Sequence, residues 1–188
     1  MHNVEPHYGW LKYYDNETDL YSPFQTVEHS EFHYDRQVYQ YLAHPQWDTI
    51  ESESLLVKIL YANYEHGYAI LELFGVWNDL LENDYRLLTE NCLSFLIDAG
   101  INRFVFIMEN ILNVYVDSED YYDAFQDEME EGWICMLRAR EHVKREFTAF
   151  DLDQYFFWAD DLDDLFWRKL KPWQLFDLVD ARMRKLLT

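Results

Sequence analysis

Glycine and proline are scarce in this chain of 188 residues, at five and four. That excludes a loop-rich scaffold, and it leaves little material for the glycine-built loops that cradle phosphates. The two cysteines, Cys92 and Cys135, lie inside apolar runs with no metal-type spacing around them. Buried thiols are expected, not a disulfide or a zinc site. No apolar stretch approaches the roughly 18 uninterrupted residues of a membrane span. The start, MHNVEPHYGWLKYYD, has neither the basic opening nor the apolar run of a secretory signal. A cytoplasmic, reducing location is the expectation, with no membrane insertion.

Basic residues are also few. Fifteen Lys and Arg stand against 36 Asp and Glu, for a formal net charge of −21. Such a field repels phosphate backbones, so a nucleic-acid partner is not expected, whereas a protein with a basic surface is. The charge is uneven: residues 55–132 carry −13, and only the C-terminal residues 167–188 are basic, at +4. A basic tail on an acidic body also allows homo-oligomer contacts.

What is abundant is apolar and aromatic. Hydrophobic residues make up 49% of the chain, with 7 Trp, 15 Tyr and 13 Phe. That content specifies a packed core, not disorder. Residues 1–53 are aromatic and acidic without clear periodicity and read as an arm or cover, with a short helix expected within 36–47 before Pro45 or near it. Regular patterning starts at Leu55. LLVKILYA (55–62) and YAILELFG (68–75) read as strands joined by NYEHG, where Gly67 can take a positive φ. Asn83 or Asp84 can cap a following helix in which Tyr85, Leu88, Cys92, Leu96 and Ala99 share a face, ended by Gly100.

NRFVFIM (102–108) reads as a strand buried on both faces, WICMLRA (133–139) as another, and QYFFWA (154–159) as the last. Helices are expected over about 119–131, 140–150, the run DDLDDLFWRKL, and PWQLFDLVDARMRKLL, which opens with Pro172. On the last helix Trp173, Phe176, Val179, Met183 and Leu187 share one side. The order β-β-α-β-α-β-α-β-α implies an α/β fold with a mixed, mostly parallel sheet of about five strands and packing helices.

The segments AILELFGVWND, NDYRLLTENCLSFLIDAGINRFVFIM, VDSEDYY and AREHVKREFTAFDLDQYFFWADDLDDLF together resemble the STAS domain, the fold of bacterial anti-sigma-factor antagonists and of the cytoplasmic ends of sulphate transporters. The resemblance runs from about Leu55 to Phe166. It implies a domain over residues 54–166; residues 167–188 lie outside it and read, from their own pattern, as a basic amphipathic helix packed on it. It also implies a non-enzymatic, regulatory or scaffolding protein acting through protein–protein contacts.

The resemblance places an Asp-Ser pair at a helix start, here Asp117 and Ser118. Ser118 is then either a helix N-cap or a phosphoacceptor, and partner contact is expected around Asp117, Ser118, Glu119, Tyr121, Tyr122 and Phe125. The acidic, tyrosine-rich run 117–131 is either a solvated helix face or a docking surface for a basic protein. The alternative function is an acidic decoy that mimics nucleic acid and occupies a DNA-binding protein.

Other chemistry lacks a signature. His29 and His33 are four apart, but nothing completes a ligand set, so they read as exposed arm histidines and no metal is expected. No Gly-x-Ser-x-Gly elbow or dinucleotide fingerprint is present, so neither catalytic residues nor a cofactor are assigned.

Overall fold

A computed structural model describes residues 2–30, 32–116, 120–129 and 131–187. The two apolar runs after Leu55 form a long antiparallel pair, β5 (Leu55–Asn63) and β6 (Tyr68–Asn78). Gly67 turns between them at φ 65°. Before them lie four short strands, β1 (His2–Val4), β2 (Gln37–Val38), β3 (Tyr41–Ala43) and β4 (Asp48–Thr49). After them come β7 (Arg103–Tyr115), β8 (Trp133–Leu137) and β9 (Phe157–Trp158).

The main sheet has six strands in the order β4-β5-β6-β7-β8-β9. The pairs β4/β5 and β5/β6 are antiparallel; β6/β7, β7/β8 and β8/β9 are parallel. The mixed, mostly parallel α/β sheet expected from the alternating pattern is what forms, with β4 as an additional edge strand.

The helices are α1 (Asp84–Leu88), α2 (Ser94–Asp98), α3 (Asp120–Glu128), α4 (Glu141–Ala149) and α5 (Pro172–Leu186). A π turn, Thr89–Leu93, joins α1 to α2. The wider turn brings both Cys92 and Leu93 into the core beside Leu88 and Leu96. Cys92 and Cys135 are free, buried thiols, and burial pushes both upward in pKa, Cys135 to about 12.

Four expectations are corrected. The helix expected within 36–47 is instead a β2/β3 hairpin that joins β1 in a small sheet of order β1-β3-β2. Its Val38, Ala43 and Trp47 are buried against Leu56, Phe74 and Val76, and that tertiary surface selects strand over helix. The run DDLDDLFWRKL forms only 3-10 turns, at Asp160–Leu162 and Trp167–Lys169. Crowded carboxylates disfavour a regular helix there. They are held separately instead: Asp160 and Asp163 by Lys144, and Asp161 by Arg182 at 3.0 Å.

The third correction concerns β7, which continues seven residues past Met108, through Glu109, Asn110 and Asn113, because β6 offers a free edge as far as Asn78. The fourth concerns α5, whose buried side is Leu175, Phe176, Val179 and Met183, with Trp173 and Leu187 turned outward.

The pleat sorts the core into two faces. Ala69, Leu71 and Leu73 of β6 face α1–α4 in the larger cluster. The intervening Tyr68 and Ile70 face α5, Trp10 and Trp167. Further along the same face Phe74 and Val76 meet the small N-terminal sheet.

Candidate functional site

Where β6 and β7 end, a segment of the chain is held from beneath by two acidic side chains. Asp79 accepts hydrogen bonds from the indole of Trp77 at 3.1 Å and from the Tyr122 hydroxyl, and its second oxygen accepts from the Tyr85 N–H at 2.8 Å. Its own N–H donates to the Tyr115 carbonyl at 2.8 Å. Asp84 accepts from the Asn78 N–H and the Ser54 hydroxyl, both at 2.8 Å. Asp84 therefore does not cap α1 from its start, as its position suggests. The first-turn amide of Tyr85 is satisfied by Asp79, from six residues earlier. Asn83 precedes the helix at φ 56° without a side-chain cap bond.

The base of this segment is buried. Tyr85 and Tyr122 stack at 4.0 Å with rings 5° from parallel. Burial pushes both phenols well above their ordinary pKa, so both stay neutral and the Tyr122 hydroxyl keeps the proton it donates to Asp79. Burial also raises Asp84 to about 6, with Asp79 adding to it and the bonds from Ser52, Asn78 and Ser54 opposing it. Its Oδ1 is buried and unpartnered among the described residues.

Above that base the surface is apolar. Leu80, Leu81 and Tyr121 are exposed, Leu81 by 79% and Tyr121 by 47%. The Leu81 N–H is fixed to Asn78 Oδ1 at 3.2 Å. A groove of about 200 Å³ runs beside Tyr121, between the α1–π turn and α3, lined by Arg86, Thr89, Glu90, Ser94 and Glu128. Arg86 lies 5.8 Å from the Tyr121 ring and pairs with Glu90 at 2.8 Å.

Of the residues expected at a partner surface, Asp117, Ser118 and Glu119 lie outside the described residues. Tyr121 is exposed. Tyr122 and Phe125 are 1% and 2% exposed; they belong to the core beneath the surface, since a helix that packs on a sheet must turn its apolar side inward. Sequence reasoning missed Leu80, Leu81 and Arg86. The available signal was NDLLEND, an apolar pair between turn-forming residues with no strand or helix to bury it.

The expectation for the arm histidines holds for His33 and not for His29. The His29 ring is enclosed and contacts Asp48 at 2.6 Å and Glu17 at 3.1 Å. Its pKa is raised, first by the bond to Asp48. No group of three or more potential metal ligands occurs among the described residues.

Fold and surface together define a mixed α/β protein in which exposed apolar side chains follow a buried, hydrogen-bonded acidic base at the strand ends. No protein-family model matches the chain, and no curated protein matches it. Among solved structures, the anti-sigma factor antagonist SpoIIAA in its unphosphorylated form is similar, with a TM-score of 0.44 and 14% identity over 66% of this chain and 96% of that one.

Proposed function

We propose that this chain is a non-enzymatic regulatory or scaffolding protein that docks a protein partner with a basic surface, through the exposed apolar side chains Leu80, Leu81 and Tyr121. The observation that carries the reading is the contrast between these three exposed apolar side chains and the backbone beneath them, which Asp79 and Asp84 hold in place. A fixed apolar surface loses little conformational freedom on binding, so more of its contact energy appears as affinity. The acidic α3 beside it, with Asp123, Asp127 and Glu128, favours a basic partner and speeds encounter. Asp117, Ser118 and Glu119 immediately precede α3 in the chain, and Ser118 is the residue of this reading to examine for phosphorylation.

Affinity capture from native cell extract tests it, comparing the natural chain with Leu81→Ala/Tyr121→Ala. The double variant is expected to lose the specifically captured protein while keeping its Tm. Equal capture by both chains refutes the surface. Competition by added DNA for the captured protein would transfer the reading to an acidic decoy.

A further inference from the structure

Residues 16–29 form a surface loop whose two ends meet. Asn16, at one end, donates to Asp48 at 3.0 Å. His29, at the other, contacts Asp48 through Nε2 at 2.6 Å and Glu17 through Nδ1 at 3.1 Å. Asp48 belongs to β4, so the neck of the loop is pinned to the edge of the main sheet. Between the ends, Phe24 is buried in the larger cluster, and Asp19 accepts from the hydroxyls of Tyr14 and Tyr64. Leu20 and Tyr21 face solvent. A compact loop with joined ends is of the Ω type.

The neck depends on the protons of one ring. A neutral imidazole carries one N–H and one bare nitrogen. Here both ring nitrogens face a carboxylate oxygen, and only the imidazolium donates to both. The His29 side chain is 3% exposed and that of Asp48 is fully enclosed, which keeps solvent from substituting at Nε2.

The charges around the ring balance only in that form. His29 and Lys58 are the cations, Asp48 and Glu17 the carboxylates, and Lys58 pairs with Asp48 at 3.2 Å. Cys92, from the π turn, is near enough to Asp48 to feel its charge, and burial keeps the thiol neutral. The bond to Asp48 foremost raises the His29 pKa above its ordinary 6.5; burial and Lys58 oppose the rise, and the Asp48 charge and the Glu17 bond add to it. The contribution of the protonated ring is therefore complete below 6.5 and is lost as pH rises through the folded-state value.

The two carboxylates are not equivalent. Asp48 is enclosed and also holds Asn16 and Lys58. The Glu17 side chain is 47% exposed and can turn to water. When the ring gives up one proton, its remaining N–H stays on Asp48 and Glu17 is the partner released.

We propose that His29 is a proton-operated latch on the loop 16–29: the imidazolium joins the loop ends, and loss of its Nδ1 proton to solvent frees Glu17 and opens the neck. None of these groups belongs to the surface at Leu80, Leu81 and Tyr121, so either can fail without the other.

Amide hydrogen exchange of the full chain, normalised to the intrinsic rate at each pH, tests the latch. Protection across residues 16–29 is expected to fall at least about tenfold between about pH 6 and about pH 9, while the amides of β7 keep theirs. Glu17→Gln is the discriminating variant. Its carboxamide oxygen accepts from the imidazolium, and its N–H donates to the bare Nδ1 of the neutral ring, so the loop should stay protected at both pH values. Unchanged protection in the natural chain, an equal fall in β7, or a fall that persists in Glu17→Gln would each overturn the proposal.

Discussion

Lys58 and Glu72 are register partners across β5 and β6, on the sheet face away from α1–α4, and both are buried. Lys58 turns to Asp48 at 3.2 Å. Glu72 accepts the His7 N–H at 2.8 Å and the Asn110 amide at 3.1 Å, with Arg168 at 3.5 Å. Beyond them, Glu109 binds Arg138 at 2.8 Å and Arg168. A polar band thus crosses this face between two apolar covers, α5 with its tryptophans on one side and the small N-terminal sheet on the other.

Removing one member of a buried ion pair leaves the other uncompensated. Asp48→Asn is expected to destabilise the chain by about 3–5 kcal/mol, because Lys58 then keeps its charge in the interior. The double variant Asp48→Asn/Lys58→Met should recover part of that loss. Urea unfolding of the three chains measures the difference, and a loss under about 1 kcal/mol in the single variant contradicts the pairing.

Glu72 should make stability depend on pH. Burial raises its pKa from 4.5 to about 7, against the opposing effects of the His7 N–H, Arg168 and Asn110. The folded chain therefore holds a proton that the unfolded chain releases near 4.5. The resulting contribution is complete below that pH, falls as pH rises, and is gone above about 7. Glu72→Gln should match the natural chain near pH 4.5 and exceed it at pH 8 by roughly 2 kcal/mol. Denaturation midpoints at the two pH values decide it, and a constant difference between the chains would remove Glu72 as the titrating group.

Adjacent tyrosines should behave differently. Tyr122→Phe removes the hydroxyl that serves Asp79 in the interior, with an expected cost of about 1–2 kcal/mol. Tyr121→Ala alters an exposed side chain and should change stability by no more than about 0.5 kcal/mol. Thermal melts of the two variants test this order, and a larger loss from Tyr121→Ala reverses the assignment of inside and outside on α3.

Gly75 cannot be replaced. Its φ is 123°, and a Cβ there would lie 2.0 Å from the Ser54 carbonyl oxygen. Gly75→Ala should cost more than about 2 kcal/mol, through forced separation of β5 from β6 near Leu55. Gly100→Ala, at φ 96° with open space around the missing Cβ, should cost only about 1 kcal/mol. Similar losses at both positions would show that backbone conformation, not contact, sets the effect.

The legible parts of the chain are those where one local period dominates. Val143 and Phe147 four apart, and Tyr85, Leu88, Cys92 and Leu96 along one face, announce helices whose buried sides the structure contains. The far half of β7 was not legible, because Glu109, Asn110 and Asn113 interrupt the apolar run. Nothing local indicates that Asn110 will meet Glu72 or that Glu109 will meet two arginines. The candidate surface was legible only in part: Tyr121 and the acidic α3 stand out in the sequence, whereas Leu80 and Leu81 become an exposed patch only once Asp79 and Asp84 fix the segment that carries them.

By itself the sequence determined the strands β5 and β6, the alternation that makes the sheet mostly parallel, the buried thiols and the strong negative charge. Each is set by composition or by a repeat only a few residues long. The tertiary structure alone decided that residues 37–43 form a β-hairpin and not a helix, that His29 is enclosed beside Asp48, and that Tyr122 points inward while Tyr121 points out. These outcomes depend on partners 19 to 45 residues away, and only chain folding brings such distant groups within hydrogen-bond and packing range.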